Sequence, residues 1–397
     1  MSSYTLRSLV CLLLCVPLVV YWVAKDRAAE PTVRFATFNL ALNRPTEGAL
    51  LDELRGGDSE AGKRLAEIIQ RARVDVILLN ELDRDAGAEA AAVFAREYLA
   101  VSQQGLDPID FAYSFCAPVN TGVTAGVDLD GDGKVEGPQD AYGYGAFPGQ
   151  YGMVLLSRYP ILERDVRTFR GLRWSSMPGA LRPEGYYSEE AWQQLRLSSK
   201  SHWDVPIGIG RKGDGRVVHA LCSHPTPPVF DGPEDRNGRR NHDEVRFWVD
   251  YLTPGRASWI VDDSGKAGGL APDASFVLLG DLNCDPVDGD SRREALLALL
   301  AHERVQDPQP RSRGADEAKV QQFGQNMQQA GDPALDTGDF PDKPGEGPGN
   351  LRIDYVLPSR DLAVTQAGVF WPLAFEQTSA LLAVTDHRLV WVDVQMP

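Results

Sequence analysis

Short apolar runs of strand length recur along the chain from Val33 to Val394, and stretches with apolar residues at helical spacing separate several of them. This alternation is typical of an α/β protein in which helices pack over the faces of a sheet. We predict strands at Val33–Leu40, Val74–Asn80, Tyr151–Ser157, Val217–Cys222, Phe276–Gly280, Ile353–Leu357 and Leu389–Val394. We predict helices at Gly62–Arg73, Asn241–Leu252 and Ser291–Ala301.

Two stretches interrupt this regular spacing. Residues 103–150 are rich in Gly, Pro, Asp and Tyr, and residues 307–350 are rich in Gln, Gly, Pro and Asp. Because strands of the same character continue after each stretch, both are interpreted as surface insertions rather than linkers. The sequence therefore predicts one domain over residues 31–397 with two insertions.

The N-terminal segment Leu9–Ala24 is almost entirely apolar, follows Arg7 and precedes Lys25. It is long for the apolar part of a signal peptide and short for a membrane span, which takes about 20 residues. We predict that residues 1–30 are either a signal peptide or an N-terminal membrane anchor that would associate the chain with a membrane. Both alternatives imply an extracytoplasmic location: secreted, periplasmic or anchored at a membrane.

The chain is acidic, with a formal net charge of −16. An acidic surface repels the phosphate backbone of nucleic acids, so the charge argues against tight non-specific nucleic-acid binding. A local basic patch or bound cations could reverse the field at one site. We expect the chain to act as a monomer.

Several of the apolar runs end in polar residues that a core does not need. Asn39 ends the first run, Glu81 follows the second, and Asp281 and Asn283 follow a later one. Asp354 lies within Arg352–Val356, and the pair Asp386–His387 directly precedes the last run. In open α/β architectures ligands gather at strand ends, so these side chains can converge on one crevice.

Taken in order, these motifs resemble the endonuclease/exonuclease/phosphatase superfamily, which has the fold of pancreatic-type deoxyribonuclease. The matching motifs are TFNL (37–40), LLNELD (78–83), SRYPI (157–161), SHPTPP (223–228), GDLN (280–283), RIDYVL (352–357) and TDHR (385–388). The resemblance implies a four-layer α/β sandwich, with two packed, mainly antiparallel or mixed β-sheets flanked by helices. It also implies metal-assisted cleavage of a phosphate ester by an activated water.

The resemblance assigns roles to individual residues. The oxygen ligands that Mg²⁺ (or Mn²⁺) prefers would come from Asn39, Glu81 and Asp386. Asp281 would orient or deprotonate the water, and Asn283 would hold the phosphate or the transition state. His387 would hydrogen-bond a phosphate oxygen or act as an acid or base, with Asp354 orienting it. His224 matches a second histidine of the nuclease and sphingomyelinase-like branches, which donates to the phosphate or the leaving group.

Three arginines are candidates for substrate binding. Arg158 matches a position that contacts phosphate in nuclease relatives, although an exposed arginine before a Pro turn would look the same. Arg239 and Arg240 belong to a basic stretch, Asp231–Arg246, that could grip a phosphate-bearing substrate. The alternative is the solvated start of a helix.

The segment from Asp128 to Glu136 resembles a calcium loop, because carboxylates alternate along it and a glycine occupies the sixth position. The expected ligands of a structural Ca²⁺ are Asp128, Asp130, Asp132 and Glu136. The loop departs from an EF-hand at its twelfth position, where Gln139 replaces the glutamate. The alternative is a solvated acidic turn.

The sequence therefore predicts an exported phosphodiester hydrolase of nuclease-like type that depends on a divalent metal. One alternative is a phosphatase or phospholipase-like hydrolase acting on a small phosphoester or a phospholipid headgroup. Another is an inactive binding module with the same fold, although the intact strand-end motifs argue against it. The substrate, whether nucleic acid, phospholipid or small phosphoester, stays open.

Overall fold

The computed structural model describes residues 32–210 and 216–396. The predicted leader, residues 1–30, lies outside the described residues. Within them, no helix is both long enough and apolar enough to cross a membrane.

The described residues form thirteen strands, arranged in two large mixed sheets and one short hairpin. The strands are β1 (Thr32–Leu42), β2 (Val76–Leu82), β3 (Tyr113–Phe115), β4 (Met153–Ser157), β5 (Arg167–Thr168), β6 (His202–Ile209), β7 (Arg216–Ser223), β8 (Ser275–Asp281), β9 (Gly338–Asp339), β10 (Asn350–Leu351), β11 (Asp354–Pro358), β12 (Ala363–Val369) and β13 (Val390–Gln395). The six-stranded sheet has the order β12-β13-β1-β2-β4-β3, and the five-stranded sheet has the order β11-β8-β7-β6-β5. Each sheet contains one parallel pair, β1 with β2 and β7 with β8, among antiparallel neighbours.

Six of the seven α-helices of the described chain lie on the outer faces of the two sheets, and the seventh contributes Ala315 and Ala318 to the core between them. In chain order they are α1 (Ala49–Leu54), α2 (Glu60–Ala72), α3 (Glu89–Phe94), α4 (Glu189–Gln194), α5 (Arg236–Leu252), α6 (Glu294–Leu300) and α7 (Arg313–Gln322). Apolar residues of α1, α2 and α3 form one core with the outer face of the six-stranded sheet. Those of α4, α5 and α6 form a second core with the five-stranded sheet, and a third core lies between the sheets. The predicted four-layer α/β sandwich is therefore confirmed.

Helix α2 shows how local sequence determines one of these elements. The Ser59 hydroxyl accepts a hydrogen bond from Gly62 N at 3.2 Å, which satisfies one of the free amides at the helix start. Leu65, Ile68 and Ile69 recur at helical spacing and are buried against the sheet. The helix ends at Arg73, whose left-handed backbone stops the helical hydrogen-bond pattern.

Each predicted strand and helix has a counterpart in the structure, with shifted ends. The prediction missed β6, because Pro206 within it argues against a strand. It also missed β12, whose residues are largely polar or exposed. Residues 103–150 contribute the edge strand β3, and residues 307–350 contribute α7 and the β9–β10 hairpin.

Candidate active site

The polar strand-end residues meet where the two sheets come together. Asn39, near the end of β1, donates its Nδ2 to Asp281 Oδ2 at 3.1 Å and thereby links one sheet to the other. Strand β11 begins at Asp354, which lies directly opposite Asp281 in the antiparallel pair with β8. The backbone pairing alone thus brings these carboxylates together, although their motifs are far apart in the sequence.

Asp281 is at the centre of this cluster. Its Oδ2 atom lies 3.4 Å from His224 Nε2 and 3.7 Å from His387 Nε2, and its Oδ1 accepts a hydrogen bond from Asn283 N at 2.9 Å. The pKa of Asp281 is raised to about 7, because burial and the charge of Asp354 raise it more than His387 lowers it. A carboxyl with this pKa exchanges its proton near neutral pH, as a general base must.

His387 and Asp354 form a buried pair. The Nδ1 atom of His387 lies 3.0 Å from Asp354 Oδ2, which also accepts a hydrogen bond from Thr337 Oγ1 at 2.9 Å. Burial alone would lower the pKa of His387, but Asp354 and Asp281 raise it to about 10. His387 is therefore a cation at neutral pH, with Nε2 directed towards Asp281.

His224 has the opposite character. Burial, together with the charges of Lys200 and His387, holds the pKa of His224 well below its usual value, so the ring is neutral. Both ring nitrogens are buried without an aligned hydrogen-bond partner, although Nε2 lies 3.4 Å from Asp281 Oδ2 and 3.9 Å from Glu81 Oε1. Buried polar atoms are rarely left unpaired, so these nitrogens indicate a group that binds between His224 and the carboxylates.

The donor set of the cluster fits a hard divalent cation. The carboxylates of Glu81 and Asp386 stay accessible, with 23% and 52% of their side chains exposed, and flank the buried Asp281. Asp281, Asp354 and His387 also have possible ligand atoms within 4.8 Å of one another. Because Asp354 Oδ2 already accepts two hydrogen bonds, we assign Asp354 to positioning rather than to metal binding. Oxygen ligands in this number suit Mg²⁺ or Ca²⁺.

Three residues of the site have a left-handed backbone. Ala41, Glu81 and Asn283 have φ angles of 49°, 56° and 50°, a region that residues other than glycine occupy infrequently. Each lies where the chain leaves a strand, so the turn aims the neighbouring side chains into the cluster. Strained residues of this kind concentrate at functional sites.

Lys200 is a member of the site that the sequence analysis missed. It is 6% exposed, and it is close enough to Glu244, Glu81 and Asp281 for their charges to raise its pKa, although burial lowers it overall. It also acts electrostatically on His224. A lysine in the run SSKSH has no local signal that separates it from a surface lysine. The only available hint was its position directly before a strand.

Helix α5 connects the loops of the site. Asn241 donates its Nδ2 to the carbonyls of Thr226 and Leu282, at 2.8 and 2.9 Å. Glu244 accepts hydrogen bonds from the backbone amides of Thr226 and Ser199, both at 2.7 Å. The loops that carry His224, Asn283 and Lys200 are therefore held to one buried helix face.

The three candidate arginines, which were predicted to bind substrate, donate to groups other than the carboxylates of the cluster. Arg158 pairs with Asp75 at 2.8 Å, at the end of β2 opposite Glu81. Arg240 is 7% exposed and donates to the backbone carbonyls of Leu197, Arg196 and Tyr142, so its guanidinium supports the fold. Arg239 donates to the Glu234 carbonyl at 3.1 Å. Arg158 and Arg240 are therefore bonded to groups outside the catalytic cluster and Arg239 to a carbonyl just before its own helix, although Arg240 still acts electrostatically on Lys200.

The acidic loop after Asp128 forms a separate cluster. Asp128, Asp130 and Asp140 have carboxylate oxygens within 4.8 Å of one another. The predicted ligands Asp132 and Glu136 are exposed and lie outside this group. Asp140 takes part instead, one position beyond the twelfth residue of the loop, where the motif would place a ligand. It is 1% exposed and accepts hydrogen bonds from Leu129 N and Glu136 N.

Comparison with models of known protein families identifies the family of this chain. The model of the Endonuclease/Exonuclease/phosphatase family matches residues 36–387. The chain belongs to this family. Endonuclease/exonuclease/phosphatase proteins are generally metal-dependent hydrolases of phosphate esters, so the resemblance seen in the sequence is confirmed at that level.

One solved structure agrees with the fold, and two others are similar to the chain at lower TM-scores. An endonuclease/exonuclease/phosphatase from Beutenbergia cavernae is 18% identical with a TM-score of 0.50, over 92% of this chain and 72% of that chain. A mannosyl-6-phosphatase from Bacteroides thetaiotaomicron is 13% identical with a TM-score of 0.42, over 92% and 100%. A beta toxin from Staphylococcus aureus with bound magnesium ions is 14% identical with a TM-score of 0.42, over 91% and 99%. Comparison with curated protein sequences gives no match.

Proposed function

We propose that this family member hydrolyses a phosphodiester by metal-assisted attack of a water molecule. The observation that carries the proposal is the position of Asp281 Oδ2, which lies within 3.7 Å of the Nε2 atoms of both histidines. One base between two imidazoles of different charge suits a reaction in which a water loses a proton to the base while negative charge develops on the phosphate.

The protonation state of each residue determines its role in this reaction. Asp281, with a pKa of about 7, would accept the proton of the attacking water. His387, which Asp354 keeps protonated, would donate a hydrogen bond to a phosphoryl oxygen as negative charge develops there. Neutral His224, next to Glu81, would contact the substrate through its unpaired ring nitrogens. A divalent cation held by Glu81, Asn39 and Asp386 would polarise the phosphoryl oxygens and stabilise charge on the leaving oxygen.

Lys200 would supply a fixed positive charge for the phosphate. Burying a lysine is costly, and within the described chain no carboxylate pairs with its ammonium group within 4 Å, although Glu244, Glu81 and Asp281 act on it at longer range. A bound phosphate would compensate this cost. The proposal therefore transfers to Lys200 the role that the sequence suggested for Arg158.

The charges around the site favour a small phosphodiester over a polynucleotide. Binding along a nucleic-acid backbone takes cations that are free to contact successive phosphates. Arg388, directly after His387, is already paired with Asp339. The net charge of −16 also disfavours the binding of a polynucleotide.

A structural Ca²⁺ in the loop of Asp128, Asp130 and Asp140 is the second part of the proposal. Three carboxylates that converge in one turn repel one another unless a cation or protons are present. The loop packs into the protein through Leu129, which belongs to the core beneath α5. A weak loop of this type would suit the millimolar calcium outside cells, which agrees with the proposed export.

The test compares bis-p-nitrophenyl phosphate, p-nitrophenyl phosphate, sphingomyelin and DNA as substrates, each with Mg²⁺, with Ca²⁺ and with a chelator. We expect the small diester to be hydrolysed fastest, with loss of activity in the chelator. Asp281→Ala and His387→Ala should abolish hydrolysis, whereas Asp110→Ala, which removes an exposed carboxylate in residues 103–150, should not. Wild-type rates in the first two variants would exclude the proposed site. Preferential hydrolysis of the monoester would exclude the diester assignment.

A further inference from the structure

An aromatic side chain from residues 307–350 lies against the catalytic histidine. The ring of Phe340 packs edge-on to His387, with centroids 5.7 Å apart and planes at 87°. Phe340 directly follows β9 and is partly exposed. It therefore presents apolar surface beside an otherwise acidic site.

The backbone fixes this ring relative to the site. Gly338 forms a β-bridge with His387, and Asp339 donates its amide to the Asp386 carbonyl at 2.7 Å. A Cβ atom at Gly338 would lie 2.6 Å from Phe340 Cε2, so the glycine leaves the space that the ring occupies. Phe340 thus has a defined position rather than that of a loop side chain in solvent.

A second aromatic residue lies on the other flank of the cluster. Tyr144 is 58% exposed, and Tyr151 is close enough to both Tyr144 and Glu81 for their charges to raise its pKa, in addition to the larger effect of burial. Aromatic residues therefore lie on both sides of the cluster, Phe340 at His387 and Tyr151 near Glu81, with Tyr144 of residues 103–150 next to Tyr151.

We propose that Phe340 is a specificity-determining residue that contacts a ring-shaped substituent of a small phosphodiester. Aromatic faces and edges bind flat rings and exclude water from them, and they do so without the cations that a polynucleotide requires. The substrate class is then a phosphodiester that carries a nucleoside or a similar flat-faced group. This inference rests on the proposed phosphodiester hydrolysis and specifies which diester the site selects.

The test uses two esters with the same leaving group, thymidine 5′-p-nitrophenyl phosphate and methyl p-nitrophenyl phosphate. The readout is the ratio of their kcat/KM values, because loss of a contact with the base affects only the thymidine ester. Both esters carry the nitrophenyl ring and only the thymidine ester carries a base, so the ratio reports a contact with the base. We expect the wild type to prefer the thymidine ester and Phe340→Ala to reduce the ratio about tenfold, in line with the strength of base–aromatic contacts. Phe340→Tyr should retain the preference.

Phe323→Ala is the matched control. Phe323 is 60% exposed and belongs to the same segment, 307–350, so its removal should leave both kcat/KM values unchanged. If Phe340→Ala lowers both values and leaves the ratio intact, Phe340 only supports His387 and the inference is wrong. A wild type without preference would also overturn it. Failure of the proposed function would look different, because the wild type would then hydrolyse neither ester.

Discussion

The most informative single substitution is Asp354→Asn. In the wild type, Asp354 Oδ2 lies 3.0 Å from His387 Nδ1, and both residues are buried, with exposures of 1% and 6%. Asparagine keeps the shape of the side chain but removes the charge that holds His387 protonated and fixes its tautomer. The same change at the aspartate of a Ser-His-Asp triad costs about 10⁴-fold in kcat, and loss of one preorganised donor costs about 10²–10³-fold. We therefore expect kcat to fall about 10²–10⁴-fold, or about 3–5 kcal/mol in activation free energy.

The pH profile separates this role from a merely structural one. Asp354 and Asp281 together raise the pKa of His387 to about 10, so its protonated form persists into the alkaline range. Removal of the Asp354 charge lowers that pKa, and the alkaline limb of the kcat profile should move to lower pH. Initial rates on bis-p-nitrophenyl phosphate from pH 5 to 10, at saturating Mg²⁺, would measure this shift.

Thr337→Val provides the control for this experiment. It removes the other hydrogen bond to Asp354 Oδ2, at 2.9 Å, and leaves the His387 contact in place. One neutral hydrogen bond contributes about 0.5–1.5 kcal/mol, so kcat should fall by about tenfold or less, with no shift of the alkaline limb. If Asp354→Asn behaves like Thr337→Val, or leaves the limb unmoved, the assignment of His387 as the protonated donor is refuted.

Three further outcomes follow from the geometry of the site and its surroundings. Lys200→Met, which keeps the volume and removes the charge, should lower kcat/KM about 10²-fold at pH 7.5. Arg158→Ala should leave kcat/KM unchanged and cost less than about 1 kcal/mol in unfolding free energy. Equal effects of the two changes on kcat/KM would contradict the assignment of Lys200 to phosphate binding. Ca²⁺ should raise the Tm of the wild type more than that of Asp128→Asn, and equal shifts would exclude the loop as the binding site. In the presence of a chelator, the free energy of unfolding should fall as pH rises from about 6.5 to 10, because the folded protein holds the His387 proton more tightly than the unfolded chain does. The slope should not exceed about 1.4 kcal/mol per pH unit from this group, and His387→Gln should flatten it.

The parts of the site that sequence could predict are those encoded next to strong strand signals. Asn39, Glu81 and Asp281 each end an apolar run, and an ordered series of such motifs restricts the fold as well as the site. The alternation of strands and helices predicted an α/β protein, because most strands of both sheets are well buried, and the resemblance to the family implied the sandwich.

The errors concern residues whose role depends on tertiary partners. Arg240 is basic and follows a candidate histidine, but three backbone carbonyls occupy its guanidinium. Lys200 looks like a surface lysine and yet is buried beside the carboxylates. Asp140 lies beyond the expected length of the calcium loop, and only the folded chain shows that it returns to Asp128. No local pattern contains this information.

The location of the site follows from the way the two sheets end. Strands β1 and β2 run parallel, so Asn39 and Glu81 leave the six-stranded sheet at the same edge. Strand β8 ends at Asp281, which faces Asp354 at the start of antiparallel β11 in the five-stranded sheet. The hydrogen bond from Asn39 to Asp281 joins these two edges, so the chemical groups stand on the rigid part of the molecule. Phe340 and Tyr144 belong to the long segments around that edge, residues 307–350 and 103–150, which are additions to a minimal sandwich. Substitutions in those segments should therefore change which diester is selected, while substitutions at the strand ends should change whether any diester is hydrolysed.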